Sequence, residues 1–566
     1  MTPTDVSPGG PRAQTLPAVT DGGSTAFIRM LLAEAGRFQL QLIGCTAVAG
    51  LATATLIVIV NSVADRRNIA SIDYPLLVTF TVCCAVVLAA QARALHLTTR
   101  ASEATVERMR VRLVDLVRRA DLDAFEALGP ARLYAKIASD TATLSEAGAL
   151  VIAGAVSAVA LMFAALYIAT LSRLAFVVIV LLFAATTYLF RASQRTSAWQ
   201  LLEARQTESR FFATFNHLLD GFKEVKMSTT RAADLETNYL AVESRETERQ
   251  KIRAVDRLNA GQNIAHASFY LLLASVVFAL PQHLDSTETV MKMTYTVIFM
   301  LATVDGVMRA FPLITKANVA LQDLAEVETE LVAAARRGDE GPAAIAAPTM
   351  RRLELHGVVY AYTGPDGRPA FTVGPCDLTV DAGEIVFVIG GNGSGKSTLL
   401  RVLTWLYAPR AGVALWDGRI VDRSNVADYR NLFATVFSDF HLFDRLYGLG
   451  HVDPARAAAL LETMGIAGKT EFRGGGFTNL ELSTGQRKRL AFVAALLEDR
   501  PVYVLDELAA DQDSDFRRRF YEELLPSLKA RGKTLIVVSH DERYFHVADR
   551  VLTMEDGRFV EGGWSR

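Results

Sequence analysis

The sequence predicts a two-part chain, in which an α-helical half that crosses a membrane six times is followed by an α/β half with a largely parallel sheet. Three observations carry this prediction. The first half of the 566 residues holds long apolar stretches with few or no charges, the second half alternates apolar strands with helices, and a glycine-rich loop joins one such strand to one such helix. Apolar stretches of about 20 residues can cross a bilayer as helices, and strand–helix alternation is typical of parallel sheets.

The bulk composition gives no electrostatic case for nucleic acid as a partner. The net charge is −2 and 51% of the residues are hydrophobic, so no basic excess favours nucleic acid. The four cysteines have neither metal-ligand nor disulfide-framework spacing, and we interpret them as packing residues: Cys45, Cys83, Cys84 and Cys376.

Composition along the chain predicts four segments. Residues 1–23 are rich in Thr, Pro, Gly and Ser, which predicts a disordered tail without the pattern of a secretory signal. Residues 24–332 are predicted to form the membrane-spanning domain. A linker is predicted at 333–350, where Ala, Gly and Pro are frequent. Residues 351–566 are predicted to form the α/β domain.

Six stretches of the first half are predicted to be membrane helices. A buried helix of a soluble protein is the alternative for each, but six such stretches in one half of a chain disfavour it. The predicted spans are 38–63, 75–97, 148–170, 174–190, 263–280 and 290–313.

Basic residues predict the orientation. The long loops 98–147 and 191–262 are rich in Arg and Lys, whereas the loops 171–173 and 281–289 hold one such residue between them. Because basic loops stay on the cytoplasmic side, the N-terminus and both long loops are predicted to be cytoplasmic. Both long loops have helical composition, with turns expected near 121–128 and 221–229.

Four polar side chains lie within the predicted spans near the inner leaflet: Arg93, His266, Asp305 and Arg309. Asp305 and Arg309 are four residues apart and can pair on one helix face. Two interpretations remain open. These side chains are either snorkelling ends with a local ion pair or a polar cavity lining that meets a transported molecule.

The glycine-rich loop is the strongest local motif of the sequence. An apolar strand, a glycine-rich loop and a Lys-Ser pair that opens a helix form the phosphate-binding loop of nucleoside-triphosphatases. Lys396 is predicted to reach the β- and γ-phosphates and Ser397 to ligate Mg²⁺. The predicted nucleotide-binding residues here are Gly390, Gly391, Asn392, Gly393, Ser394, Gly395, Lys396, Ser397 and Thr398.

Further motifs follow that loop in order. The strand 502–505 ends in two acids, of which Asp506 suits the Mg²⁺ water shell and Glu507 is placed to polarise the attacking water. A second strand ends in Ser539 and His540, whose imidazole can contact a γ-phosphate. The helix start at 482–486 can present N–H groups to a phosphate.

In this order, the motifs resemble the nucleotide-binding domain of ATP-binding-cassette (ABC) transporters, and the helical half resembles the six-helix domain of ABC exporters. Residues 482–486 resemble the family sequence Leu-Ser-Gly-Gly-Gln, with Thr484 in place of the first glycine. The resemblance implies that Tyr362 stacks on adenine and that ATP and Mg²⁺ are the cofactors.

The resemblance also implies a homodimer as the working unit. Ser483, Gly485 and Gln486 are expected to bind the ATP that the other subunit holds. Asp513 is expected to belong to the loop that contacts the partner subunit.

A narrower resemblance points to the bacterial cyclic-peptide-export subfamily, which includes exporters associated with pyoverdine- and syringomycin-type peptides. The stretches 436–444, 482–490 and 506–513 carry it. Two departures from the wider family stand out. Ser438 occupies the place of a glutamine that contacts nucleotide and metal, and Ala-Ala-Asp-Gln-Asp at 509–513 replaces Thr-Ser-Ala-Leu-Asp.

The resemblance implies ATP-driven export of a peptide or peptide-like siderophore across the bacterial inner membrane, by alternating access in a homodimer with cytoplasmic ATPase domains. Two alternatives remain open: a siderophore importer of exporter shape, and an ATP-gated membrane regulator without net transport.

Overall fold

The computed structural model describes residues 26–64, 73–283, 286–335, 349–363, 369–449 and 452–560. The predicted tail 1–23 and most of the predicted linker 333–350 lie outside these ranges, and the predicted domain boundaries stay predictions. The chain divides into two compact units, of which the first comprises Met1–Arg110 and Ala135–Ala325 and the second comprises Val111–Tyr134 and Glu326–Arg566. Part of the first predicted cytoplasmic loop therefore folds with the α/β unit.

The first half of the chain is helical. Short helices lie at both predicted turns, and π-helical turns at Leu235–Leu240 and Ser275–Ala279 flank the long helix Ala241–Ala274. The helices are α1 (Ala26–Ala35), α2 (Gln39–Ala64), α3 (Tyr74–Arg119), α4 (Leu122–Leu128), α5 (Pro130–Leu171), α6 (Arg173–Asp220), α7 (Phe222–Lys226), α8 (Thr229–Asp234), α9 (Ala241–Ala274) and α10 (Thr287–Ala335).

Each of the six predicted spans coincides with an apolar helical segment. In the described ranges, five helices are long and apolar enough to cross a membrane: α2, α3, α5, the run Thr229–Ala279 and α10. The sixth segment, Arg173–Leu189 at the start of α6, is apolar but shorter. The apolar helices indicate a membrane protein.

Small residues let three of these helices approach closely. A Cβ atom added at Gly154 of α5 would lie 2.3 Å from the Cβ of Ala310 in α10, and one at Gly306 of α10 would lie 2.2 Å from the Ser157 hydroxyl. A Cβ at Gly50 of α2 would likewise collide with Val159. Small residues at helix crossings are typical of membrane bundles, where van der Waals packing drives association.

The polar residue Asp305 of α10 pairs across the bundle. Its Oδ1 lies 2.7 Å from Nε2 of His266 in α9, and both side chains are about one-third exposed. The structure shows no ion pair between Asp305 and Arg309 in the ranges it describes. The local pair that the spacing allows is therefore replaced by an interhelical one, because His266 lies within hydrogen-bond distance.

The α/β unit holds two main sheets. A six-stranded sheet has the order β12-β11-β3-β10-β9-β6 and is parallel except for the β11–β12 pair, and a four-stranded antiparallel sheet has the order β2-β1-β4-β5. The strands are β1 (Arg352–Thr363), β2 (Pro369–Asp381), β3 (Ile385–Ile389), β4 (Ala411–Trp416), β5 (Arg419–Ile420), β6 (Phe433–Val436), β7 (Phe472–Arg473), β8 (Gly476–Phe477), β9 (Val502–Asp506), β10 (Thr534–Val538), β11 (Arg550–Glu555) and β12 (Arg558–Val560). The helices of this unit are α11 (Lys396–Leu403), α12 (Val426–Arg430), α13 (Pro454–Thr463), α14 (Thr484–Glu498), α15 (Ser514–Arg519) and α16 (Leu525–Ala530).

The register of the parallel sheet brings three sequence motifs to one edge. Strands β9 and β10 are buried along their whole length and β3 over its first four residues, as expected for strands covered on both faces. Val538 of β10 pairs with Val388 of β3 and with Asp506 of β9. The glycine-rich loop, the acid pair and the Ser539-His540 pair therefore follow neighbouring strands at the same edge.

Candidate nucleotide-binding site

The glycine-rich loop has a backbone that side chains would obstruct. Gly390, Gly393 and Gly395 have φ angles of 147°, 79° and 101°. A Cβ at Gly390 would lie 2.2 Å from the carbonyl oxygen of Met554. Glycine is therefore required here both for the positive φ and for the close approach of β11.

The phosphate loop presents positive charge and helix N–H groups together. Lys396 begins α11, is 6% exposed and donates from Nζ to the carbonyl oxygens of Gly390 and Gly391, both at 2.9 Å. Ser397 and Thr398 follow in the first turn of the same helix. A helix N-terminus beside an ammonium group favours a bound phosphate.

The acid at the end of β9 has a free oxygen. Asp506 is 2% exposed, and its Oδ2 accepts a hydrogen bond from the backbone N–H of Ser438 at 3.4 Å. Its Oδ1 and the Ser394 hydroxyl are buried without a hydrogen-bond partner in the described part of the chain. An unpartnered buried carboxylate oxygen beside a phosphate loop fits a hydrated Mg²⁺.

The metal would have few protein ligands. Among the described residues, no group of three or more His, Cys, Asp or Glu side chains could hold a metal ion. Mg²⁺ at phosphate sites is usually held by one or two side chains together with phosphate oxygens and water, so the donor set fits that ion.

The structure brings together two residues that the sequence analysis treated separately. Oε1 of Glu507 lies 3.0 Å from Nε2 of His540, and the two side chains are 34% and 44% exposed. Both are open to a ligand at the sheet edge. An imidazole beside the carboxylate can orient it or share a proton with it.

Ser438 approaches the acid through its backbone. Its N–H contacts Asp506, while the residue itself is exposed. The following acid, Asp439, accepts a hydrogen bond from Nη2 of Arg401 in α11 at 2.7 Å. Asp439 therefore has its own partner, which leaves the Ser438 hydroxyl as the group in the glutamine position.

Tyr362 lies beside the phosphate-loop helix. Its hydroxyl is 3.2 Å from the hydroxyl of Thr398, and its ring meets those of Tyr360 and Tyr407 edge-on at 5.3 and 5.8 Å. Its stacking on adenine stays a prediction.

Sequence reasoning missed Tyr407 and its partners. The buried Tyr407 hydroxyl accepts from Nη1 of Arg401 at 3.0 Å and donates to Oε2 of Glu126 in α4 at 2.7 Å. Burial, followed by the hydrogen bond to Glu126, raises the Tyr407 pKa above its ordinary value, so the hydroxyl stays protonated. A continuous hydrogen-bonded chain thus runs from α4 to the phosphate-loop helix.

The helix start at 482–486 is capped. Ser483 is the N-cap residue of α14, and its side chain and that of Gln486 form a capping box. The carbonyl oxygen of Gly485 accepts from Nε2 of Gln512 at 2.9 Å. Asp513 caps α15, and the hydrogen bond from the Phe516 N–H, ahead of that from Arg489, lowers the Asp513 pKa.

These elements define a class of protein. A phosphate loop, an acid pair and a capped helix start, combined with six apolar helical segments, constitute an ATP-binding domain and a membrane domain in one chain. Residues 373–510 match the family described as ABC transporter. The chain belongs to the ABC transporter family, and its second unit is an ABC ATP-binding domain.

Two relatives and one solved structure support that assignment. The ATP-binding protein SyrD of Pseudomonas syringae pv. syringae is 37% identical over 365 residues, which cover 62% of this chain and 64% of SyrD. The lipoprotein-releasing system ATP-binding protein LolD 2 of Chlorobaculum tepidum is 32% identical over 233 residues, or 37% of this chain and 92% of LolD 2. A bacterial Atm1-family ABC exporter, solved with ATP bound, superposes with a TM-score of 0.75 over 93% of this chain and 95% of its own, at 17% identity. The fold is therefore that of an ABC exporter.

Proposed function

We propose that this chain is one half of a homodimeric ATP-driven exporter of the bacterial inner membrane. The observation that carries the proposal is the combination, among the described residues, of one set of nucleotide-site elements with six apolar helical segments in the exporter fold. Binding of ATP would close the two ATP-binding domains and turn the membrane cavity outward. Hydrolysis would reset the transporter.

Each residue of the site has a chemical role in this proposal. Lys396 and the N–H groups of the glycine-rich loop bind the phosphates. Glu507 orients the attacking water. His540, whose Nε2 lies 3.0 Å from Oε1 of Glu507, contacts the γ-phosphate. Mg²⁺ would be held by Ser397, by Asp506, and by Ser438 through a water molecule, and it would neutralise charge that develops on the phosphates.

The dimer proposal rests on the start of α14. Ser483 is exposed and makes its capping bonds within its own helix. Because this helix N-terminus is exposed at Ser483, we expect the first turn of α14 to receive a phosphate from another subunit. In this arrangement Ser483, Gly485 and Gln486 complete the partner's site, and Asp513 lies in the loop at the interface.

The cargo proposed is a peptide or peptide-like siderophore, moved from cytoplasm to periplasm. The three stretches that resemble the cyclic-peptide-export subfamily support this choice. The pair His266–Asp305, one-third exposed within the membrane unit, offers a polar site for such a molecule.

Transport into inverted membrane vesicles tests the proposal. Such vesicles expose the cytoplasmic face, so an exporter accumulates a labelled peptide siderophore inside them when ATP is added outside. The Glu507→Gln variant, with its ATP binding checked separately, serves as the inactive control. ATP-dependent loss of preloaded cargo would instead identify an importer, and cargo-stimulated hydrolysis without accumulation of any peptide tested would identify a regulator.

A further inference from the structure

We propose that Lys488 and Asp511 are positioning residues that hold Glu507 in its working conformation. The inference rests on the proposed role of Glu507 in orienting water, and it goes beyond that role because neither residue touches nucleotide in the proposed site. Asp511 is one of the positions at which this chain departs from its wider family, where alanine is usual.

Lys488 is a buried cation directed at the backbone of Glu507. It lies in the second turn of α14, and its side chain is 8% exposed. Nζ donates to the carbonyl oxygen of Glu507 at 3.0 Å and lies 2.6 Å from Oδ2 of Asp511. An ammonium group removed from water requires a paired anion, and Asp511 supplies it.

The residue that Lys488 holds has an unusual backbone. Glu507 has a φ angle of 52°, in the left-handed region that side chains other than those of glycine, asparagine and aspartate rarely adopt. Such a conformation persists only when surrounding contacts impose it. The hydrogen bond from Lys488 fixes the peptide group between Glu507 and Leu508. It thereby restricts the direction in which the Glu507 carboxylate points.

The neighbouring departure, Gln512 in place of leucine, makes a second link to the same helix. Its Oε1 accepts from Nε of Arg489 at 2.7 Å, and its Nε2 donates to the carbonyl oxygen of Gly485 at 2.9 Å. The Arg489 guanidinium also lies 4.0 Å from the centre of the Phe516 ring. Gln512 is 6% exposed, so these bonds satisfy a buried amide.

Asp511 and Gln512 therefore both have partners on α14. The alanine and leucine that are usual at these positions have no polar side-chain atoms and cannot form these interactions. The arrangement ties the segment 507–513 to the helix that also carries Ser483 and Gly485. Displacement of α14 would thus be transmitted to the backbone of Glu507.

Hydrolysis by purified variants tests the proposal. Asp511 is 53% exposed, so Asp511→Ala is expected to fold. We expect kcat to fall by about ten- to a hundredfold, as for a displaced catalytic group, with KM for ATP close to that of the parent. The Tm should also fall, because Asp511→Ala leaves the buried Lys488 ammonium without its anion. Asp511→Glu is expected to restore most of the turnover. Lys488→Met leaves no unpaired buried ammonium, so it should lower kcat as Asp511→Ala does while its Tm stays close to that of the parent. The double variant should be no worse than Lys488→Met alone.

A second lysine–aspartate pair in the same unit, with a more exposed lysine, provides the control. Lys529 and Asp549 pair at 2.5 and 2.6 Å away from the site residues, and Lys529→Met should leave kcat unchanged. Parent-like turnover of Asp511→Ala would overturn the proposal. A loss of kcat in Lys488→Met accompanied by a matching loss of Tm would also overturn it, since it would indicate a structural role.

Glu507→Gln separates this inference from the proposed function. If Glu507→Gln binds ATP but loses turnover while Lys488→Met and Asp511→Ala keep it, only the positioning role fails. If Glu507→Gln keeps near-parent turnover, both proposals fail. The expected result is that Asp511→Ala adds no further loss in the Glu507→Gln background.

Discussion

At the scale of single residues, the nucleotide site depends on backbone groups as much as on side chains. The N–H of Ser438 contacts Asp506, and the carbonyl of Glu507 accepts from Lys488. The hydrogen bond from the backbone N–H at position 438 to Asp506 survives any substitution except proline, because every other residue supplies an N–H group. The effect of removing its hydroxyl is therefore confined to what that oxygen reaches.

Ser438→Ala tests the water-bridged role of the hydroxyl. We expect the Mg²⁺ concentration for half-maximal hydrolysis to rise by about threefold, as for loss of one water-mediated contact. Cargo stimulation should fall more than basal hydrolysis. Ser438→Gln should be tolerated, since it restores the residue of the wider family. An unchanged Mg²⁺ titration together with unchanged cargo stimulation in Ser438→Ala would make the serine a spacer.

Asp499 is a residue whose charge should stabilise the α/β unit in a pH-dependent way. It ends α14 in the left-handed region, with φ of 55°, and Nζ of Lys533 lies 3.0 Å from its Oδ1. Burial opposes ionisation, but Lys533, Arg456 and Arg531 outweigh it and lower the pKa below its ordinary value of 3.8. A lowered pKa gives a stabilisation that is present above that value and is lost as the pH falls through the folded-state pKa.

The variant Asp499→Asn removes that charge while retaining a residue that tolerates the left-handed conformation. We expect its Tm to lie below that of the parent at pH 7. The difference should shrink as the pH is lowered below 3.8 and through the still lower folded-state pKa, where the parent carboxylate becomes protonated in the folded protein. A Tm difference of constant size across this pH range would mean that the effect is not electrostatic.

At the scale of elements, α4 is connected to the phosphate-loop helix through Tyr407. The ring of Tyr407 stacks on Tyr360 at 4.7 Å, and its hydroxyl links Glu126 to Arg401, which in turn holds Asp439. Because α4 follows helix α3 in sequence, we propose this chain of contacts as the route by which cargo binding reaches the nucleotide site in the proposed exporter.

Tyr407→Phe breaks that route while keeping the ring. We expect basal hydrolysis to stay within about twofold of the parent, since loss of one hydroxyl costs roughly 1 kcal/mol of stability and removes no catalytic group. Cargo-stimulated hydrolysis should fall severalfold. Glu126→Gln retains an acceptor oxygen and should have a smaller effect. Full cargo stimulation in Tyr407→Phe would exclude this route.

The contrast between predicted and missed features has a physical cause. The phosphate loop, the acid pair and the helix start are contiguous motifs, so the spacing of residues such as Lys396, Asp506 and Ser483 is visible in the sequence. The contact of Glu126 with Tyr407 spans 281 positions, and that of His266 with Asp305 spans 39. Such pairs depend on how elements pack, which periodicity does not specify. The acid and glutamine at 511 and 512 were visible as departures, but their partners on α14 were not.

At the scale of the whole molecule, the described part of the chain carries the elements of one nucleotide site and one membrane unit. The proposed working unit therefore needs two copies, because Ser483 and Gly485 are expected to act on the nucleotide of the partner. The alternative is that each chain completes its own site. The two arrangements make opposite predictions for a dimer in which the two copies carry different substitutions.

The test combines Lys396→Ala in one copy with Ser483→Arg in the other, with different affinity tags used to purify the mixed dimer. If sites form between copies, one site receives both substitutions and the other receives none, so the mixed dimer should hydrolyse ATP at about half the parental rate if the sites act independently. Each substituted homodimer should be inactive, because both of its sites are damaged. If each chain forms its own site, the mixed dimer has no intact site and should be as inactive as the homodimers.

Ser483→Ala, which removes the N-cap hydroxyl without adding bulk or charge, controls for loss of the capping box. Hydrolysis by monomers isolated in detergent would contradict the shared-site arrangement outright.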